Sequence, residues 1–180
     1  KIWNEDLNDG SDIQRKKAKQ ANFGIIYGIT TFGLAQRMDI TNNEAKELIA
    51  DYFKTFPKVK AYMDLSIEEA RQKGYAETIF HRRRYLDDIN SKNATVRGYA
   101  ERNAINAPIQ GSEADIIKVA MVRIWQRFKR ENIRSKMILQ VHDELNFSVF
   151  PDEKERVERI VIEEMQQAYA LNVPLIADAG

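Results

Sequence analysis

The stretch Lys136-Met137-Ile138-Leu139-Gln140-Val141-His142-Asp143-Glu144-Leu145-Asn146-Phe147-Ser148-Val149-Phe150 decides the fold class. Leu145, Phe147 and Val149 alternate with Asn146, Ser148 and Phe150, the period of two that belongs to a β-strand. A second apolar run, 136–141, precedes it, and the polar His142-Asp143-Glu144 separates the two. The pattern predicts an antiparallel β-hairpin.

Helical periodicity lies on either side. Upstream, Ile116, Ala120, Ile124 and Phe128 recur at four-residue spacing, flanked by Ile117 and Met121, and Ser112 stands where it can cap that helix. Pro108 is expected to end an earlier, Arg-bearing helix that runs from about Asn93 to Asn106. Downstream, Pro151-Asp152 opens a last helix with Val157, Ile160, Val161, Met165 and Ala168 on one face, and Pro174 begins an extended tail. Helices packed on an antiparallel hairpin make this part α+β.

The remainder reads as mostly helical. Ser11-Asp12-Ile13-Gln14 fits a capping box and opens a helix from Asp12 to Tyr27, with Gly28 as its stop. Thr30-Thr31 can cap a short helix through Leu34 to Arg37. Thr41-Asn42-Asn43-Glu44 repeats the capping box before a stripe of Ala45, Leu48, Ile49, Tyr52 and Phe53. Pro57 ends that helix and starts another that runs to about Gly74. Segments 75–80 and 84–86 predict a short hairpin around His81-Arg82-Arg83.

The 180 residues suffice for one or two domains with a real core, and 43% hydrophobic residues spread along the chain exclude a disordered tail. With no Cys there is no disulfide framework, thiolate zinc site or cysteine nucleophile, so a cytoplasmic location is the expectation. No apolar run approaches the ~18–20 residues of a membrane span, and the Lys1-Ile2-Trp3 start is no signal peptide. The net charge of +1 argues against a nucleic-acid partner when averaged over the chain. From Arg71 to Arg102, however, basic residues outnumber acidic ones eight to four, while the last helix is acidic.

Three features could carry chemistry. Arg15, Lys19, Phe23 and Tyr27 fall four residues apart and drift only about 40° per step, so they line one gently spiralling helix face. Cations beside aromatics suit a nucleoside triphosphate, although an ordinary amphipathic helix has the same spacing. His142-Asp143-Glu144 is either a solvated turn or a seat for a hard cation such as Mg²⁺. On a regular strand Asp143 and Glu144 would face opposite ways, so at most one would be a direct ligand. The two histidines, His81 and His142, are too far apart in sequence to suggest zinc. The third feature is the polar track of Arg82-Arg83-Arg84, Arg97, Arg102, Asn106 and Gln110, which is either a solvated face or a contact for phosphates and base edges.

Together these segments resemble the C-terminal half of the polymerase domain of family A DNA polymerases, the bacterial DNA polymerase I type. Arg15-Lys16-Lys17-Ala18-Lys19-Gln20-Ala21-Asn22-Phe23-Gly24-Ile25-Ile26-Tyr27-Gly28 is similar to that family's fingers motif. Gln140-Val141-His142-Asp143-Glu144 is similar to its palm motif, and Asn106-Ala107-Pro108-Ile109-Gln110-Gly111 to a segment between them. The resemblance implies a fold of mostly helical fingers (1–92, with the short hairpin near 75–86) and a partial palm (93–180), whose β-hairpin is packed by helices.

It also implies roles. Arg15 and Lys19 would hold the incoming dNTP's triphosphate, Phe23 would pack on its sugar, and Tyr27 would guard the space beside the nascent base pair. Asp143 would be one of two aspartates that hold a Mg²⁺ pair, with Glu144 in support, and Lys19 would join them as a catalytic residue. Arg102, Asn106, Gln110 and His142 would contact a DNA primer-template. The implied activity is template-directed DNA synthesis in replication and repair, by in-line attack of a primer 3′-hydroxyl on an α-phosphate. Nothing in Lys1 to Ser11 resembles the family's other aspartate motif, so the chain is expected to be a fragment, inactive alone, that works with the remainder of a parent polymerase.

Three positions depart from the family pattern. His81 stands where Gly is usual, Asp87 where Pro is common, and Glu113 where a small residue is usual. Glu113 is read as lying near a helix start, where it would suit the dipole. None of the matched site residues is replaced. The alternative function is a non-catalytic nucleic-acid-binding module derived from the family. A small Mg²⁺-dependent phosphohydrolase built on Asp143 and Glu144 is the third reading.

Overall fold

The structure is a computed structural model that describes residues 12–180, with side chains from residue 18 onward. The capping box expected at Ser11 and the side chain of Arg15 lie outside the described residues. The contacts divide the chain into two compact units, one made of residues up to Glu77 plus His81–Pro108, the other of Thr78–Phe80 plus Ile109–Gly180.

The first unit is helical. α1 (Asp12–Ile26) stops at Gly28, whose φ is 72°. α2 (Thr31–Met38) is capped by Thr30, whose Oγ1 accepts the Gly33 N–H at 3.1 Å. α3 (Asn42–Thr55) opens with the reciprocal capping box expected at Thr41. The Glu44 carboxylate accepts the Thr41 N–H at 2.8 Å, and this bond, with the Thr41 hydroxyl, lowers its pKa. Pro57 begins α4 (Pro57–Lys73), which ends at Gly74. Ala21 and Ile25 of α1 bury against Leu34, Ala35, Met38, Ala45 and Tyr52.

β1 (Tyr75–Glu77) and β2 (Arg83–Tyr85) pair antiparallel, Tyr75 opposite Tyr85 and Glu77 opposite Arg83. β1 is shorter than the expected 75–80, and β2 is shifted by one residue from the expected 84–86. Beyond Glu77 the backbone takes side-chain partners in the second unit instead of a strand: Ile79 N–H donates to Ser112 Oγ at 3.0 Å, and Phe80 N–H donates to Thr78 Oγ1 at 3.3 Å. The buried face of this hairpin joins Ala70, Ala76, Leu86, Ile89, Ala100 and Ala104 in a second core.

α5 (Ala94–Arg130) corrects the expected break at Pro108: it is one helix of 37 residues with the proline inside. Asn93 Oδ1 caps it by accepting the Thr95 N–H at 3.0 Å. Proline cannot donate to the carbonyl four residues back and disturbs its preceding turn. There, the Ile105 carbonyl accepts the Tyr62 hydroxyl at 3.2 Å. Apolar burial on both sides, at Ala100, Ala104 and Ile105 and at Ala120, Ile124 and Phe128, overrides the proline signal. Ser112 is therefore no cap, and Glu113 lies in mid-helix rather than near a helix start.

The second unit is α+β, as expected. β3 (Lys136–Val141) pairs antiparallel with β4 (Glu144–Ser148), from Lys136 opposite Ser148 to Val141 opposite Glu144. The register shifts between Met137 and Leu139, a bulge at Ile138 that leaves Ile138 and Leu139 both exposed. A 3₁₀ turn (Pro151–Glu153) leads into α6 (Lys154–Gln166). Ile124, Phe128, Val157 and Ile160 form the core, with Met137, Leu145 and Phe147 of the hairpin packed on it. Polar contacts fasten the rim: Arg127 donates to Glu131 at 2.9 Å, Glu163 at 2.7 Å and Glu164 at 3.1 Å.

Candidate nucleotide and nucleic-acid site

The nucleotide-binding face expected on the first helix lies at the C-terminal end of α1. Ala21, Gly24 and Ile25 turn inward, and this rotation leaves Lys19 and Phe23 exposed, with Tyr27 half-buried just past the helix. The Phe23 and Tyr27 rings stack at 6.1 Å between centroids and 23° between planes, and Lys19 Nζ stands 5.9 Å from the Phe23 centroid. Phe23 keeps 47% of its surface in solvent, unusual for a ring anchored on its neighbour. The arrangement offers a cation and a flat apolar ring side by side, which suits an anionic ligand with a sugar or base attached. Arg15 belongs to the same helix, and its side chain is outside the described residues.

Arg102 and Asn106, the expected DNA contacts, are half-buried on α5 in the same unit. Arg102 packs its stem over Gly28, where a Cβ would meet its Cγ at 3.1 Å, and its guanidinium lies 5.9 Å from the Tyr99 ring. The side-chain oxygen of Asn106 is buried without a hydrogen-bond partner, which leaves an acceptor for a ligand or water. Gln110, the third member of that track, is exposed and belongs to the second unit.

The second unit holds His142, Asp143 and Glu144, all exposed at the tip of the β3–β4 hairpin. The tip is a two-residue turn, His142-Asp143, and Glu144 is the first residue of β4. That corrects the expected three-residue turn and removes Asp143 from the strand alternation on which its expected orientation rested. His142 is left-handed at φ 53°, as tight hairpin turns demand, and Gln140 Nε2 donates to its carbonyl. Asp143 and Glu144 are hard oxygen donors in reach of solvent, chemistry that fits Mg²⁺. Among the described residues no group of three or more His, Asp or Glu side chains could hold a metal ion by itself.

Three contacts were not legible in the sequence. Tyr52 donates to Asn22 Oδ1 at 2.7 Å across thirty residues. His81, in left-handed conformation at φ 62°, places Nδ1 2.6 Å from Glu77 Oε1; this contact, helped by Arg83, lowers the Glu77 pKa. The left-handed φ accounts for glycine being at ease at that position. Gly111 sits so close to Thr78 that a Cβ would stand 2.6 Å from Thr78 Cγ2.

The model of DNA polymerase family A matches residues 1–180. The chain is 54% identical over 177 residues to DNA polymerase I of Geobacillus stearothermophilus, covering 98% of this chain and 20% of that protein. It is 48% identical to DNA polymerase I of Caldicellulosiruptor bescii, again over 98% of this chain and 21% of the other. Among solved structures, the polymerase domain of Pol1 from M. smegmatis, in complex with DNA primer-template and dNTP, superposes with a TM-score of 0.93 at 43% identity. That match covers 97% of this chain and 31% of the other. The chain belongs to DNA polymerase family A. It spans about a fifth of the length of the curated relatives it matches.

Proposed function

We propose that this chain supplies the dNTP-binding helix and part of the metal-bearing palm of a DNA-directed DNA polymerase, and that the remainder of a longer polymerase chain completes the active site. The observation that carries the reading is the Lys19–Phe23–Tyr27 face, a cation beside stacked rings on a helix whose Ala21 and Ile25 are buried in the core.

Lys19, with Arg15 one turn earlier, neutralises the triphosphate, Phe23 packs on the sugar, and Tyr27 borders the nascent base pair. Arg102, Asn106, Gln110 and His142 hold the DNA primer-template. Asp143 holds Mg²⁺ with Glu144 beside it, and a second aspartate comes from outside this chain. When bound, a Mg²⁺ pair stabilises the attacking and leaving oxygens of the in-line displacement. The reading extends to a part in DNA replication and repair. No helix among the described residues is long and apolar enough to cross a membrane.

Primer extension by the full-length polymerase tests the reading. Lys19→Ala should raise the dNTP KM at least tenfold, and Asp143→Asn should abolish extension while primer-template binding persists. Unchanged kinetics in both variants would overturn it.

A further inference from the structure

Tyr52 is 6% exposed, wedged against Phe53 at 5.7 Å and Phe56 at 5.0 Å between ring centroids, and its hydroxyl reaches out of the core to Asn22 Oδ1 at 2.7 Å. Burial raises its pKa, so the hydroxyl keeps its proton and donates. Asn22 itself is exposed. It immediately precedes Phe23 and stands three residues, less than one helical turn, after Lys19.

Part of the inward face of α1 is made of small residues. Its inward residues include Ala21 and Gly24, which present no side chain large enough to interlock, and Ile29 fills the space over Gly24 at 3.3 Å. Ile25 and the half-buried Ile26 are the large α1 side chains packed against this core. Side-chain tips on a helix stand about 5–6 Å from the axis, so a rotation of about 20° would move them by about 2 Å. Displacements of that size are enough to spoil a binding constellation. A directional bond from a buried ring packed on Phe53 and Phe56 would oppose the rotation.

We propose that Tyr52 is a positioning residue for nucleotide binding: its hydrogen bond to Asn22 fixes the azimuth of α1 and so aims Lys19 and Phe23 at the incoming nucleotide. This rests on the nucleotide role proposed above for the Lys19–Phe23–Tyr27 face. Tyr52 touches no substrate and acts only through Asn22.

The test is steady-state primer extension with the full-length polymerase, comparing Tyr52→Phe, Asn22→Ala, the double variant and Lys19→Ala. Tyr52→Phe should raise the dNTP KM roughly three- to tenfold, with kcat and primer-template affinity unchanged. Asn22→Ala, on an exposed helical position that tolerates alanine, should give the same rise, and the double variant should be no worse than either alone. An unchanged KM in both single variants, effects that multiply in the double, or an equal loss of primer-template affinity would overturn the positioning role. If Lys19→Ala raises KM while Tyr52→Phe and Asn22→Ala do not, only the positioning role falls. If Lys19→Ala leaves KM unchanged, the nucleotide reading falls and takes the positioning role with it.

Discussion

Arg102 lies across Gly28: its Cγ stands 3.1 Å from where a Cβ on that glycine would be, and the Ile105 Cδ1 follows at 3.8 Å. The C-terminal end of α1 is thus seated on the very residue of α5 expected to touch DNA. Gly28 meets two demands, a left-handed φ of 72° and room for the arginine stem.

Gly28→Ala should therefore destabilise the 180-residue chain by about 1–2 kcal/mol, from backbone strain and displacement of Arg102 together. Urea unfolding measures the loss. In the full-length polymerase the same variant should weaken both dNTP and primer-template binding, because it moves both Tyr27 and Arg102. A loss confined to stability would uncouple the two.

Gly111 and Thr78 make a tighter contact. A Cβ on Gly111 would stand 2.6 Å from Thr78 Cγ2, while the Thr78 hydroxyl donates to the buried Asp115 carboxylate at 2.8 Å and cannot swing away cheaply. Gly111→Ala should cost about 1–3 kcal/mol. Thr78→Ser removes the offending methyl and keeps the hydroxyl, so it should restore much of that loss when combined with Gly111→Ala. A double-mutant cycle by thermal unfolding gives the coupling, and strict additivity would contradict the contact.

These contacts show which features a sequence carries in local form. The Thr41 capping box, the stop at Gly28 and the alternation of Leu145 and Phe147 each depend on neighbours a few residues away, and all are present. The candidate residues were legible for the same reason, as four-residue spacings and short motifs. Pro108 misled because its penalty is local while the burial that overrides it, from Ala100 to Phe128, is spread along the helix. The bulge at Ile138 and the Tyr52–Asn22 bond depend on partners far along the chain, and no periodicity announces them.

Glu153 sets an acid limit on the second unit. Its carboxylate accepts the N–H groups of Arg134 at 3.0 Å and Ser135 at 2.9 Å and the Ser135 hydroxyl at 2.6 Å. The Arg134 backbone bond is the largest cause, with the Ser135 hydroxyl next, of a pKa lowered from 4.5 to about 2. A folded-state pKa below the unfolded one means that the unfolded chain binds the proton more tightly. The stabilisation is therefore complete above about pH 4.5 and is lost as the pH falls through about 2. Glu153→Gln should lower the melting temperature at pH 7 and flatten its decline between pH 5 and 2. An equally steep decline in the variant would assign the acid sensitivity elsewhere.

His142 sets stability against function at the hairpin tip. Its φ of 53° is one that β-carbon-bearing residues adopt at a cost, and glycine adopts freely. The turn leaves its imidazole exposed beside Asp143, where little burial can offset the strain. His142→Gly should thus stabilise the chain by about 0.5–1 kcal/mol, because the backbone strain disappears and the two-residue turn persists. The same variant in the full-length polymerase should bind primer-template more weakly, since the side chain proposed to contact DNA is gone. His142→Ala separates the two effects: it loses the imidazole but keeps the β-carbon, so it should weaken DNA binding without gaining stability. Urea unfolding and primer-template titration of both variants decide the matter. If His142→Gly gains stability and binds DNA as well as the parent, the turn conformation is a structural necessity and the imidazole has no part in DNA binding.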